Sequence, residues 1–394
     1  MSLALVAAAC SAATGDETVV TGPTEETSAP STEAVPVVPP VAGELPEGPS
    51  ALQSPLHEDF PPALIDVFEI IAVLPPDSIP AVDEPFFVSI AEADEYLAPD
   101  EPVVVVDVNG DARAYPIQIL AWHEIVNDTV GGVPIAITYC PLCNSAVSYE
   151  RRIGGTETTF GTSGTLFNSA LIMYDRATET MWTHYDGRAV LGLLTGHQLA
   201  PVASPLLAWS DFVDAYPDGL VLDRERTGAS RPYGTNPYAG YDRAASGTFF
   251  PVASEDERLL VKERVVGVTI NGVARAWALE AVSGGEAKAT NGELGGTSLV
   301  IFWKSGQASA FEGADNPDVG SVAVFRPVAE GRQLTFETEG GEFRDRETGS
   351  LWDMTGRAIG GELTGLSLER IHHLDTFWFA WSSYQPDTEL VEAG

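Results

Sequence analysis

Residues 103–117 read VVVVDVNGDARAYPI and residues 265–279 read VVGVTINGVARAWAL; laid on each other without gaps, eight of the fifteen pairs are identical. Each stretch is an apolar run, an Asn-Gly pair and a second run. Asn-Gly between such runs is the strongest short signal for a β-hairpin. The likeness continues downstream. Asp175-Arg176 to Trp182 followed by Gly187-Arg188-Ala189 matches Asp345-Arg346 to Trp352 followed by Gly356-Arg357-Ala358, and Trp209 with Asp218 matches Trp378 with Asp387. A unit of roughly 120 to 130 residues repeated at an offset of about 165 is too long for a solenoid repeat and points to duplicated domains. The expected fold is therefore α+β and β-dominant, two tandem copies of one mixed β-rich unit.

Working outward, the first copy continues as a helix over 117–127, with Leu120, Ala121, Ile125 and Trp122 on its buried side, a strand over 134–139, the turn CPLC at 140–143, and a strand over 146–151. Each copy closes on a Trp-rich helical segment, 205–216 and 375–384. The units are read as 51–222 and 263–394, joined by a Tyr/Gly/Pro-rich linker at 223–262. Its tyrosines, Tyr233, Tyr238 and Tyr241, are expected to pack between the copies.

Of 394 residues, 57 are acidic and 21 basic, a net charge of −36, and no Lys or Arg precedes Arg113. Nucleic acid as a partner is excluded, because phosphate neutralisation needs a basic surface. The opening MSLALVAAAC reads as the end of a lipoprotein signal (1–10) with Cys10 as the lipidated residue, and 11–50, rich in Thr, Ser, Glu, Pro and Ala, reads as a disordered acidic stalk. The protein is thus expected to be exported to the cell envelope or surface and to meet the membrane only through an anchor at Cys10. No other apolar run reaches the ~20 residues that span a bilayer.

With Cys10 set aside, Cys140 and Cys143 form the one remaining pair of thiols. Strand 135–139 is matched to 299–303 and Tyr149-Glu150 to Phe311-Glu312, so that CPLCNS faces a shorter KSGQ in copy two. His123 falls opposite Ala287 and His184 opposite Met354. Cys140, Cys143, His123 and His184 belong to copy one only, and copy two reads as a scaffold. His57, His197, His372 and His373 have no such context. Asp107 to Asp111 hints at a calcium loop, but TINGV at the same turn of copy two marks a plain hairpin. Gly161-Thr162-Ser163-Gly164 is not a nucleophile elbow.

Two thiols spaced by two residues support either a pair of thiolate ligands or a reversible disulfide. CPLC between strands, followed by Asn144 in a left-handed conformation, suits a metal knuckle. Cys140 and Cys143 would then bind one transition metal ion (Zn, Cu or Fe) with His123, His184 and Glu124 as further donors. In the redox alternative Cys140 attacks, Cys143 resolves and His123 lowers the thiol pKa, with a small-molecule or protein redox partner. The third reading is a non-catalytic surface binding module with a structural disulfide. Sequence alone leaves open whether the protein is an enzyme.

WHEIVND at 122–128, GGVPIAITYCPLCNSAV at 131–147, FGTSGTLFNSALIMYDR at 160–176, YGTNPYAGYD at 233–242 and FPVASEDERLLVKERVVGV at 250–268 together resemble the domain of unknown function family 3179, found mostly in bacterial envelope and exported proteins. The resemblance places His123, Cys140 and Cys143 in signature segments. At His184 relatives usually have Gln, and at Asn144 commonly Gly. The family brings no activity that could be transferred.

Overall fold

A computed structural model describes residues 43–311 and 317–393; the lipoprotein-like segment and most of the stalk lie outside them. The described residues belong to the unit Val37–Gly394. Both Asn-Gly pairs make the expected hairpins: Pro102–Val108 pairs antiparallel with Asp111–Pro116, and Arg264–Ile270 with Val273–Ala278. Asn109, Gly110, Asn271 and Gly272 all have positive φ, as a two-residue turn matched to strand twist requires. In each hairpin the Asn side chain donates across to a glycine carbonyl, Asn109 to Gly131 and Asn271 to Gly295.

The fold is β-dominant and built from several small sheets. In the first half one sheet runs Leu206–Ala208, Pro102–Val108, Asp111–Pro116, Leu220–Leu222, Phe87–Ser89. A second runs Pro201–Val202, Ser145–Glu150, Val133–Cys140, Ile125–Val130, and a third holds Ile71–Ala72, Phe160–Phe167, Ala170–Asp175, Met181–Thr183 and Ala189–Leu191. The second half has the same strand orders without the edge strands Phe87–Ser89 and Ile71–Ala72. No strand or helix lies between Leu222 and Arg264. Among the described residues no helix is long and apolar enough to cross a membrane.

The helix expected over 117–127 ends earlier, at Ile117–His123. Glu124 caps it in the left-handed region at φ 59°, and the chain turns directly into strand Ile125–Val130. A non-glycine residue there is strained and persists only where its surroundings over-determine it. The closing helices are Trp209–Ala215 and Trp378–Tyr384, shorter than the segments read from the sequence.

Two connections differ from expectation. Phe311-Glu312 does not take the place of Tyr149-Glu150. The strand pairing with Thr297–Lys304 is Ser321–Arg326, with Val300 opposite Phe325 as Ala136 is opposite Tyr149. Residues 305–320 join these strands in the second half, so the four-residue turn 141–144 is the shorter one, not the longer. Phe311 instead packs on the rings of Tyr241 and Phe377. Composition could not separate Tyr-Glu from Phe-Glu; tertiary packing did.

The two halves also share their interiors. One apolar core contains Cys140, Cys143 and Trp182 together with Val265, Phe311, Phe377 and Trp381; another joins Val103, Trp209 and Phe212 to Phe302, Phe325 and Trp352. An edge strand of each half clasps the other. Phe377 N–H and Thr376 Oγ1 donate to the Cys143 carbonyl, at 3.0 and 2.8 Å. Ala208 N–H donates to Ser321 Oγ at 2.9 Å.

Candidate functional site

Strand Val133–Cys140 is buried from Pro134 onward because the sheet is covered on both faces, and it delivers Cys140 to the interior at its last position. Cys140 pairs in register with Ser145, and Asn144, at φ 51°, makes the left-handed step that closes the turn. Tyr139 Oη donates to Asn144 Oδ1 and so holds that residue in place. Both cysteines are free thiols, 1% and 0% exposed.

Their environments pull the two sulfurs apart. Burial pushes the Cys140 thiol up, but hydrogen bonds from the Cys143 thiol and from the backbone N–H groups of Leu171, Cys143 and Leu142 together outweigh it and hold Cys140 below the ordinary thiol value. Burial raises Cys143 well above that value, reinforced by the neighbouring Cys140 sulfur. Cys140 is the more acidic sulfur of the pair and Cys143 the less acidic.

His184 is the histidine linked to the thiols. Its Nδ1 lies 2.8 Å from Thr138 Oγ1, and its Nε2 lies 3.0 Å from Ser145 Oγ, which is 3.0 Å from Cys143 Sγ. The polarity of this chain follows from one contact. Thr138 Oγ1 donates its only proton to the Val147 carbonyl at 2.6 Å, so it accepts from His184 Nδ1–H. Nε2 is then an acceptor and Ser145 donates to it; Cys143 Sγ lies 3.0 Å from Ser145 Oγ, and its one proton is committed to Cys140. Burial drives His184 down to about 3, which keeps the ring neutral at physiological pH, as this polarity requires.

His123 is fully buried but turned elsewhere: Nδ1 donates to the Pro80 carbonyl at 2.7 Å, and Nε2 accepts from Tyr233 Oη. Both ring nitrogens are therefore engaged, and neither is free to ligate beside the sulfurs. Among the described residues no three His, Cys, Asp or Glu side chains are grouped so as to hold a metal ion. The set Cys140, Cys143, His123 and His184 is not brought together as converging donors.

Sequence reading gave too little weight to two residues. Glu124 was considered only as a remote donor, yet its carboxyl is 7% exposed, has no hydrogen-bond partner among the described residues, and is pushed up to about 8 by burial and by the negative charge on Cys140. Its signal was the WHE triplet ending a helix just before a strand. Lys262, 2% exposed, donates to the Tyr241 carbonyl and Ser246 Oγ, both at 2.7 Å, and sits 3.5 Å above the Tyr241 ring. Burial brings this ammonium down to about 8. Lys262 pins the linker, whose Tyr238 and Tyr241 belong to the core that contains both cysteines.

Fold and site together define a β-dominant protein carrying a buried, polarised dithiol. The family described as "Protein of unknown function (DUF3179)" matches residues 76–388, and the chain belongs to it. No curated protein and no solved structure matches the chain significantly.

Proposed function

We propose that this is an exported thiol–disulfide exchange protein in which Cys140 attacks and Cys143 resolves. The observation that carries the reading is the opposed environment of the two sulfurs, one receiving three backbone N–H groups and a thiol, the other desolvated and kept protonated. The Cys140 thiolate attacks a disulfide, forming a mixed disulfide and releasing one thiolate, which takes the proton of the neutral Glu124 carboxyl. Cys143 then attacks the Cys140 sulfur of the mixed disulfide and releases its proton. The Cys140–Cys143 disulfide forms, the second substrate sulfur leaves as a thiolate, and it collects that proton. Two protein thiols are oxidised as one substrate disulfide is reduced. Because both sulfurs lie beneath the linker tyrosines, reaction requires that segment to open.

The metal reading has less support, because His123 is committed to Pro80 and Tyr233. Export and anchoring at Cys10 belong to the proposal and rest on the composition of residues 1–50. Duplication of one unit belongs to it as well. Supporting it are pairs of like networks: Asn127 brackets Phe160 as Asn291 brackets Phe336, and Asp175 accepts from Thr178 and Trp182 as Asp345 does from Thr348 and Trp352.

The test is elemental analysis of protein purified without chelator, with thiol counts before and after titration against glutathione redox buffers. Two thiols that convert together, with no metal, and at a defined potential are expected. One equivalent of metal protecting the thiols, or a pair that never oxidises, would refute the proposal.

A further inference from the structure

The linker builds a second concavity, away from the sulfurs. Phe86 and residues 224–226 and 228–233 line an open cavity of about 640 Å³ whose walls carry Arg224, Arg226 and Arg231 beside Glu225, with Asp223 paired to Arg226. In a chain of net charge −36 this is an unusual concentration of cations. At physiological ionic strength, charges beyond ~8 Å are screened, so three guanidiniums against the two carboxylates Glu225 and Asp223, and not the acidic exterior, set the potential inside it.

Two of the arginines are held for use. Arg224 stacks 4.0 Å from the Tyr96 ring and engages Glu225 through Nε, while Arg226 stacks 4.7 Å from Phe86 and engages Asp223 through Nε. Their terminal nitrogens have no partner among the described residues. The Arg231 side chain has neither ion pair nor hydrogen bond there; its Nε is buried, while its terminal nitrogens stay accessible and without a protein partner. Ser230 and Tyr233 complete the lining, and Tyr233 is fixed by Thr227 at 2.6 Å and by His123.

We propose that this cavity binds the oxyanion group of a small ligand, a carboxylate or a phosphate, with Arg231 as its main contact and Arg224 and Arg226 beside it. A guanidinium offers paired N–H donors that match the two oxygens of either group, so both chemistries fit the same fork. The Phe86 ring offers an apolar face to the rest of the ligand. The proposal is independent of the thiol chemistry.

Calorimetric titration of the full chain with inorganic phosphate, and separately with malonate, at constant ionic strength in chloride, tests it. Saturable binding of at least one probe is expected, and the stronger one names the group. Arg231→Gln should weaken that binding at least tenfold while the melting temperature without ligand stays unchanged. Arg224→Gln, at a half-buried side chain, should weaken it severalfold and serves if the first variant does not fold. Absence of saturable binding by both probes overturns the proposal, as does binding that Arg231→Gln, or Arg224→Gln in its place, leaves within twofold of the parent.

Discussion

At the end of the long central strand of each half, the same ladder position is put to different use. In the first half Cys140 pairs in register with Ser145; in the second, Lys304 pairs with Ser321. Ser145 faces His184 and Cys143, whereas Ser321 donates to Asp211 Oδ2 at 2.7 Å and Lys304 Nζ reaches Asp211 Oδ1 at 2.7 Å. One end is a polarised dithiol beside Ser145 and His184; the other is an ion pair that ties the second half to helix Trp209–Ala215 of the first. A common backbone frame thus separates chemistry from cohesion, and the strands themselves carry no information about which is which.

The largest expected effect comes from exchanging the two ends. Cys140→Ser should lower the rate of thiol alkylation at pH 7 by more than 100-fold, because Cys143 is left desolvated and protonated. Lys304→Met should leave that rate unchanged. Alkylation rates for both variants decide the matter, and a strong effect of Lys304→Met would show that the halves are functionally coupled at this position.

Next in size is a pH effect confined to the first half. Glu124 has its folded-state pKa raised to about 8 from 4.5, so between these values the folded protein holds a proton that the unfolded chain has lost. Stability from this group is therefore full below about pH 4.5 and declines as pH rises to about 8, by up to roughly 5 kcal/mol at 1.36 kcal/mol per unit. Glu124→Gln should remove that decline. Urea unfolding of parent and variant at pH 5 and pH 8 measures it, and parallel pH profiles would contradict it.

The smallest effect should be equal in the two halves. Gly187 has φ +67° and a Cβ there would lie 2.4 Å from the Tyr149 ring; Gly356 has φ +80° and a Cβ there would lie 2.4 Å from the Phe325 ring. Each Gly→Ala change should cost about 2 kcal/mol through left-handed strain and overpacking. Thermal unfolding should give matching losses for the two variants. A loss in one alone would break the structural equivalence.

Much of the fold was legible because its signals are local. Asn-Gly at 109–110 and 271–272, the alternation around CPLC and the left-handed Asn144 each depend on a few neighbouring residues. The pairing of Phe325 was missed because Phe311 offers the same residue type earlier in the chain, and only the ladder tells them apart. At the site, the sequence identified Cys140 and Cys143 but favoured His123 over His184.

The sequence by itself determined a β-dominant chain, the hairpin positions, and the presence of the thiol pair at 140 and 143. Tertiary structure alone decided the rest: His184 reaches Ser145 from 39 positions away and Thr376 reaches Cys143 from 233. Hydrogen-bond partners and desolvation are properties of groups that the folded chain brings together. They fix which sulfur is the more acidic and why the Glu124 carboxyl is raised, and local residue patterns do not encode them.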